Sequence, residues 1–261
     1  MTTSYAVRAH NPATASENKI HHDDIARTYG FQGGLVPGVT VYAYMTHPVV
    51  ETFGRAWLEH GTMTARFVRP CYDGDEITVD AVAEDGALQL TACRAGNEVI
   101  ATGAASVPSP PASPPIAGYP AAPLPAERPP ATRATLAACD PLGSWEATFR
   151  AEHAAAFLDE IGEDLAVFRA DRIAHPGYLL LSANWILGGN VRLGPWMHVG
   201  SEVTNYGVVT DGERVSTRGR IAGLFERKGH QFAELDLLLV ADEIRVVQHV
   251  RHTAIYDIAL R

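Results

Sequence analysis

At 261 residues, 46% of them hydrophobic and 20% charged, the chain is long enough to bury one large core or two modest ones. A net charge of -9 without any Lys/Arg block excludes broad nucleic-acid binding, which needs cations to neutralise phosphates. Three scattered cysteines, Cys71, Cys93 and Cys139, exclude a disulfide framework or a C-x-x-C zinc site, and no apolar stretch approaches the roughly 18 residues of a membrane span; a cytoplasmic protein without metal or cofactor is expected.

Met1 to Pro12 lacks the apolar core of a signal peptide. A short helix is predicted over His22 to Tyr29, because Asp23 and Asp24 favour its positive N-terminal end and Gly30 ends it. Val36-Pro37-Gly38 then opens an apolar run through Val39, Val41, Tyr42, Tyr44, Met45, Val49, Val50 and Phe53, too long for a strand. That run predicts a buried helix, started by Pro37, where a missing N–H costs nothing, and kinked or divided at Pro48. Strand-like segments follow at Thr62 to Arg69, Glu76 to Val82, Ala87 to Arg94 and Val99 to Val107, alternating and rich in β-branched residues.

Residues 108–131 crowd Pro108, Pro110, Pro111, Pro114, Pro115, Pro120, Pro123, Pro125, Pro129 and Pro130 among Ala and Ser. Proline withholds ladder hydrogen bonds and fixes φ, so this segment is expected to run extended as a tether between a first domain, 1–107, and a second, 132–261. Beyond it the order repeats. His175-Pro176-Gly177 opens a second apolar run through Tyr178, Leu179, Leu180, Leu181, Trp185, Ile186 and Leu187, ended by Gly188-Gly189. Strands are predicted at His198 to Val209, Arg214 to Glu226, Gln231 to Ala241 and Arg245 to Tyr256, with Arg227-Lys228-Gly229 as a hairpin tip in which Gly229 takes positive φ. This repetition points to an internal duplication. A helix apolar on most faces must be enclosed, each buried Leu, Val or Ile contributing roughly 1.5 to 3 kcal/mol, and a curved antiparallel sheet wrapped around one helix, twice, would enclose both.

Asn18-Lys19-Ile20-His21, then Ala26, Gly30-Phe31, Leu35-Val36-Pro37-Gly38, and later Arg69-Pro70 with Gly74-Asp75, resemble the pattern of the MaoC-like, R-specific enoyl-CoA hydratases and dehydratases. That pattern is a D-x-N-P-(I/L)-H loop, a short helix, a glycine-rich approach to the central helix and an R-P-x-x-x-G-D turn. The resemblance implies an α+β fold of two hot-dog units in tandem, each an antiparallel sheet around a central helix, and an acyl-thioester substrate carried by coenzyme A or an acyl carrier. It implies His21 as the acid/base, Asn18 as the loop asparagine, and backbone N–H groups near Gly38 as donors to the thioester carbonyl. Ser16 stands where the family has its aspartate, Lys19 replaces the motif proline, and Pro37 takes the place of the histidine in (I/V)-H-G. Glu17 is the adjacent carboxylate, placed to substitute by a register shift. Hydration, thioester hydrolysis with Glu17 activating water, and non-catalytic binding of an acyl or polyketide-like ligand all fit such a pocket. A purely structural part fits too, with His21 and His22 opening the short helix and Asn18 capping its loop.

Most of the second half's polar residues read as structural. His175, just before a helix start, is placed to face a thioester or to be satisfied by backbone. Asn184, inside an apolar helix, needs a hydrogen-bond partner and is either a core brace or a cleft residue. Asn190 and His198 complete this group, and Trp145, Trp185 and Trp196 read as core. Arg227 or Lys228, beyond its turn role, suits the phosphates of a coenzyme A carrier. Two hot-dogs in one chain pair internally as a pseudo-dimer, covering edges that single units cover by dimerisation, and a monomer or homodimer of such units fits.

Overall fold

Alternating apolar residues build a single sheet. The computed structural model describes residues 2–109 and 112–259. Its strands are β1 (Thr2–Arg8), β2 (Thr62–Phe67), β3 (Glu76–Glu84), β4 (Ala87–Arg94), β5 (Glu98–Ser106), β6 (Trp145–Thr148), β7 (Met197–Asn205), β8 (Arg214–Arg227), β9 (His230–Ala241) and β10 (Arg245–Asp257). On β3, for example, Ile77, Val79 and Ala81 are buried while Glu76 and Thr78 are exposed. The ten strands follow the order β1-β3-β4-β5-β2-β7-β10-β9-β8-β6, every neighbour antiparallel. β2 pairs with β7 from Thr62 opposite Thr204 to Arg66 opposite Gly200, so the two halves share one sheet and cover each other's edge. The chain is its own pseudo-dimer.

Seven helices accompany the described strands: α1 (Asp23–Thr28), α2 (Gly38–Phe53), α3 (Arg55–His60), α4 (Arg133–Ala137), α5 (Ala151–Glu160), α6 (Ala166–Ala170) and α7 (Pro176–Asn190). The sheet curves around α2 and α7, the two apolar helices read from the sequence. Every residue of α2 from Val39 to Val50 is buried. Gly177 lets α7 approach α2, for a Cβ there would stand 2.8 Å from the Ala43 Cβ. This is a double hot-dog, an α+β fold, and no helix among the described residues is long and apolar enough to cross a membrane.

Three expectations need correction. α2 is not divided at Pro48 but continues to Phe53; the burial of Val49 and Val50 on its far side outweighs the ladder bond that proline withholds. α7 passes through Gly188 and Gly189 to Asn190, whose buried amide is fixed by the Gly143 N–H, the Gly143 carbonyl and the Ile186 carbonyl. The proline-rich segment does more than tether. Pro110 and Pro111 lie outside the described residues, but Tyr119 is buried and its hydroxyl donates to Asp236 Oδ1 at 3.0 Å. Ala122 and Ser144 exchange two hydrogen bonds, and Pro129 and Ala131 bond Arg192. The segment is laid along the second half, which brings Arg128 to the site described next.

Candidate active site

The loop before α1 is fixed by one amide. Asn18 Oδ1 accepts from the Ile20 N–H at 3.3 Å and the Trp196 N–H at 3.2 Å, which turns Nδ2 toward the Trp196 carbonyl at 3.0 Å and His21 Nε2 at 3.2 Å. Asn18 thereby caps the turn Lys19–His21 and joins the loop to the second half. An amide nitrogen only donates, so His21 Nε2 presents its lone pair. The other ring nitrogen, Nδ1, donates to the Leu35 carbonyl at 2.7 Å. Burial lowers the His21 pKa below the ordinary histidine value, and the bond to Leu35 only partly opposes it. The ring is a neutral base with its tautomer set by backbone.

His21, Asn18, Pro37, Asn184 and Trp196 line two adjoining cavities. The first, about 260 Å³, lies between the start of α2 and strands β2 and β7, against Phe67, Val68, Met197 and His198. The second, about 350 Å³, follows α7 past Leu181, Trp185, Gly188 and Val191, with Trp145 opposite. Both are largely apolar. At their junction α2 begins: Pro37 is its N-cap, and the Gly38 N–H has no acceptor among the described residues. Sixteen aligned peptides aim partial positive charge at that point. A Cβ on Gly38 would fall 2.8 Å from His198 Nδ1 and 3.0 Å from the Phe67 ring, so glycine is what allows the close approach.

Other residues singled out from the sequence land differently. Ser16 Oγ accepts the Asn18 N–H at 3.1 Å, a turn contact with no part in orienting His21. Glu17 does not reach His21. Its carboxylate forms a bidentate pair with Arg128 at 2.8 and 3.0 Å, and Arg128 also donates to the Gly188 carbonyl at 2.9 Å. The hydrogen bonds from Arg128 hold the Glu17 carboxyl below its usual range. The pair spans the rim of the second cavity. Replacing Glu17 by Gln is therefore expected to leave any turnover at His21 within a few-fold and its pH profile unmoved, an outcome steady-state rates at several pH values check.

His175 does not face a groove. It is 1% exposed, its Nδ1 accepts the Gly177 N–H at 3.0 Å, and its ring packs against Phe157 and Phe168. The donor that stays free at Gly38 is thus occupied at the matching start of α7. Asn184 lines both cavities, with Oδ1 lacking a partner among the described residues, which makes it a cleft residue and not a brace. Trp185 is 37% exposed and lines the second cavity; Trp145 lines it too while packing against the core, to which Trp196 belongs. Lys228 and Gly229 form the predicted turn with φ of 53° and 81°. Beside it Arg227 and Lys228 join Arg66 and Arg251 around an outer groove of about 860 Å³ that shares Phe67, Val68, Val199 and Ile255 with the first cavity. His47, Glu163 and Asp164 hold three potential metal ligands within 4.8 Å. His47 bonds Glu163 directly at 3.0 Å, and its other nitrogen lies 4.0 Å from Asp164.

No protein-family model matches the sequence, and no curated protein matches it. Solved structures do match over nearly the whole chain. A Chloroflexus aurantiacus protein described as a MaoC-domain dehydratase is 12% identical with a TM-score of 0.65, covering 99% of this chain and 95% of that one. A Mycobacterium tuberculosis protein with a double hot-dog fold is 17% identical with a TM-score of 0.61, covering 98% and 95%. A Novosphingobium aromaticivorans protein described as a thioesterase is 12% identical with a TM-score of 0.53, covering 97% and 95%. At such identities the likeness establishes architecture. The protein is a double hot-dog, a fold that hosts both dehydratases and thioesterases, and its chemistry has to be argued from the site.

Proposed function

We propose that the protein hydrates trans-2-enoyl thioesters, and in reverse dehydrates 3-hydroxyacyl thioesters, at His21. One observation carries this: a neutral histidine with its Nε2 lone pair at the junction of two apolar cavities, beside a helix start whose N–H is free. Water that displaces the Asn18 amide from Nε2 gives up a proton to His21 as its oxygen adds to C3 of the enoyl group. The electron pair moves through C2 onto the thioester oxygen, where the Gly38 N–H and the α2 dipole stabilise it. The imidazolium then returns the proton to C2, so atoms and charge balance without a cofactor.

The first cavity, which shares Phe67, Val68, Val199 and Ile255 with the groove of Arg66, Arg227, Lys228 and Arg251, suits the phosphate-bearing carrier. The second suits the acyl chain, and a Cβ at Gly188 on its wall would meet nothing within 4 Å. Hydrolysis is disfavoured because the carboxylate it needs, Glu17, is committed to Arg128. With Ser16 in place of an acid, turnover is expected about 10²- to 10⁴-fold below that of a site with both groups. Incubation with trans-2-butenoyl- to trans-2-decenoyl-CoA is the test. Loss of enoyl absorbance without thiol release supports hydration, thiol release supports hydrolysis, and neither, at protein levels that register a 10⁴-fold impaired hydratase, leaves a non-catalytic ligand binder.

A further inference from the structure

β7 carries a bulge. Gly200 pairs with Thr253 and His198 with Ala254, leaving Val199 as the extra residue. Regular alternation back from the buried Ser201 and Val203 would turn Val199 inward; the bulge turns His198 inward instead. His198 lies edge-on to Phe67 at 4.9 Å and stacks on His252 at 4.0 Å. Its Nε2 is 2.8 Å from Ser201 Oγ, which is 3.1 Å from His252 Nδ1. Burial keeps both rings neutral, lowering the His198 pKa well below the ordinary range and that of His252 to about 3. His198 Nδ1 is buried without a partner among the described residues, beside Gly38 in the wall of the first cavity. An orphaned polar atom in such a place calls for an occupant.

The second half shows what an accepting histidine does at such a helix start: His175 Nδ1 takes the Gly177 N–H. His198 Nδ1 stands beside Gly38 at the start of α2 and takes no such bond. With the ring proton on Nδ1, the two adjacent groups are two donors that lack a common acceptor. We propose that His198 carries its proton on Nδ1, with Nε2 accepting from the Ser201 hydroxyl, and that Nδ1–H and the Gly38 N–H together hold the carbonyl oxygen of the thioester. The inference rests on the thioester assignment above and adds to it a catalytic residue from the other half of the chain. A neutral imidazole is suited to this work, polarising a carbonyl by donation without transferring a full charge. Ser201 is its positioning residue, presenting the hydroxyl proton that fixes the tautomer.

Nitrogen-15 NMR of the histidine-labelled full chain reads the tautomer without turnover. His198 is expected protonated on Nδ1, and Ser201→Ala is expected to change that signature while His21 keeps its own. With trans-2-enoyl-CoA, His198→Phe, which keeps a ring but removes the donor, is expected to lower kcat about 10²- to 10³-fold with KM within about threefold. His198→Asn, which returns an N–H near the Nδ1 position, is expected to recover at least about tenfold of the loss. A His198 protonated on Nε2, or a folded His198→Phe protein with unchanged kcat, overturns the proposal. If the wild-type chain turns over no enoyl thioester, the hydratase assignment fails by itself, and the NMR result still decides whether His198 offers a donor.

Discussion

His21→Ala is expected to lower kcat/KM for trans-2-enoyl-CoA by about 10²- to 10⁴-fold, the range of a lost general base. The protein should stay folded, because the substitution frees only the Leu35 carbonyl and the Asn18 amide, at a site bordered by cavities that admit water. The pH profile of the wild-type chain carries the same assignment. A base works in its neutral form, and burial lowers the His21 pKa, so kcat/KM should stay level through the ordinary histidine range as pH falls. It should then drop tenfold per unit at lower pH. A midpoint at or above the ordinary histidine value contradicts the buried, backbone-fixed ring. His21→Ala activity near wild type removes it from the chemistry.

Glu163→Ala is expected to destabilise the fold by about 1 to 3 kcal/mol for each buried donor left without its acceptor, measured as a shift in the denaturant midpoint. Glu163 is 4% exposed and pins the halves together. Its Oε1 accepts from His47 Nδ1 of α2 at 3.0 Å and from the Leu165 N–H at 2.8 Å, while its Oε2 lies 3.5 Å from His175 Nε2 at the start of α7. Tyr5 of β1 stacks on His47 at 3.7 Å and donates to the Gly162 carbonyl. Burial alone would raise the Glu163 carboxyl; His175, His47 and the Leu165 N–H more than offset it and hold the pKa at about 2. The folded value lies below the unfolded one. Its contribution is therefore complete above the ordinary glutamate range and is lost as pH falls from there toward about 2.

A second acid sensitivity sets in earlier. His175, His198 and His252 are buried with lowered pKa values, so below about pH 6.5 the unfolded chain binds protons that the folded chain refuses. Each such residue removes about 1.4 kcal/mol of stability per pH unit. Thermal unfolding between pH 7 and 4 should show a steep fall, and His252→Phe should flatten it. A melting temperature level across that range contradicts the neutral buried histidines.

Long alternating runs were the most legible part of the sequence. β4 spans the predicted Ala87 to Arg94, and β8, β9 and β10 agree to within a residue at each end, because turn residues separate long strands there. β6 has four residues and β1 buries none of its side chains fully, and both are held by pairing with β8 and β3, which no local pattern announces. The apolar helices were visible, but α7 is apolar all round and its end is set by a tertiary bond of Asn190, so its boundary was not. His21, Asn18 and Gly38 could be picked out only because a motif carries them. Arg128, which withdraws Glu17 from His21, lies 111 residues away in the proline-rich segment. His198 reaches the cavity through a bulge defined by the pairing of β7 with β10, a fact of register that is absent from the composition of either strand.

The most direct measurement is a crystal structure of the His21→Ala protein with trans-2-octenoyl-CoA. The thioester carbonyl is expected at the Gly38 N–H and His198 Nδ1, the acyl chain along α7 past Gly188, and the phosphates beside Arg227 and Lys228. An acyl chain lying in the outer groove, with the thioester away from the start of α2, would contradict this placement.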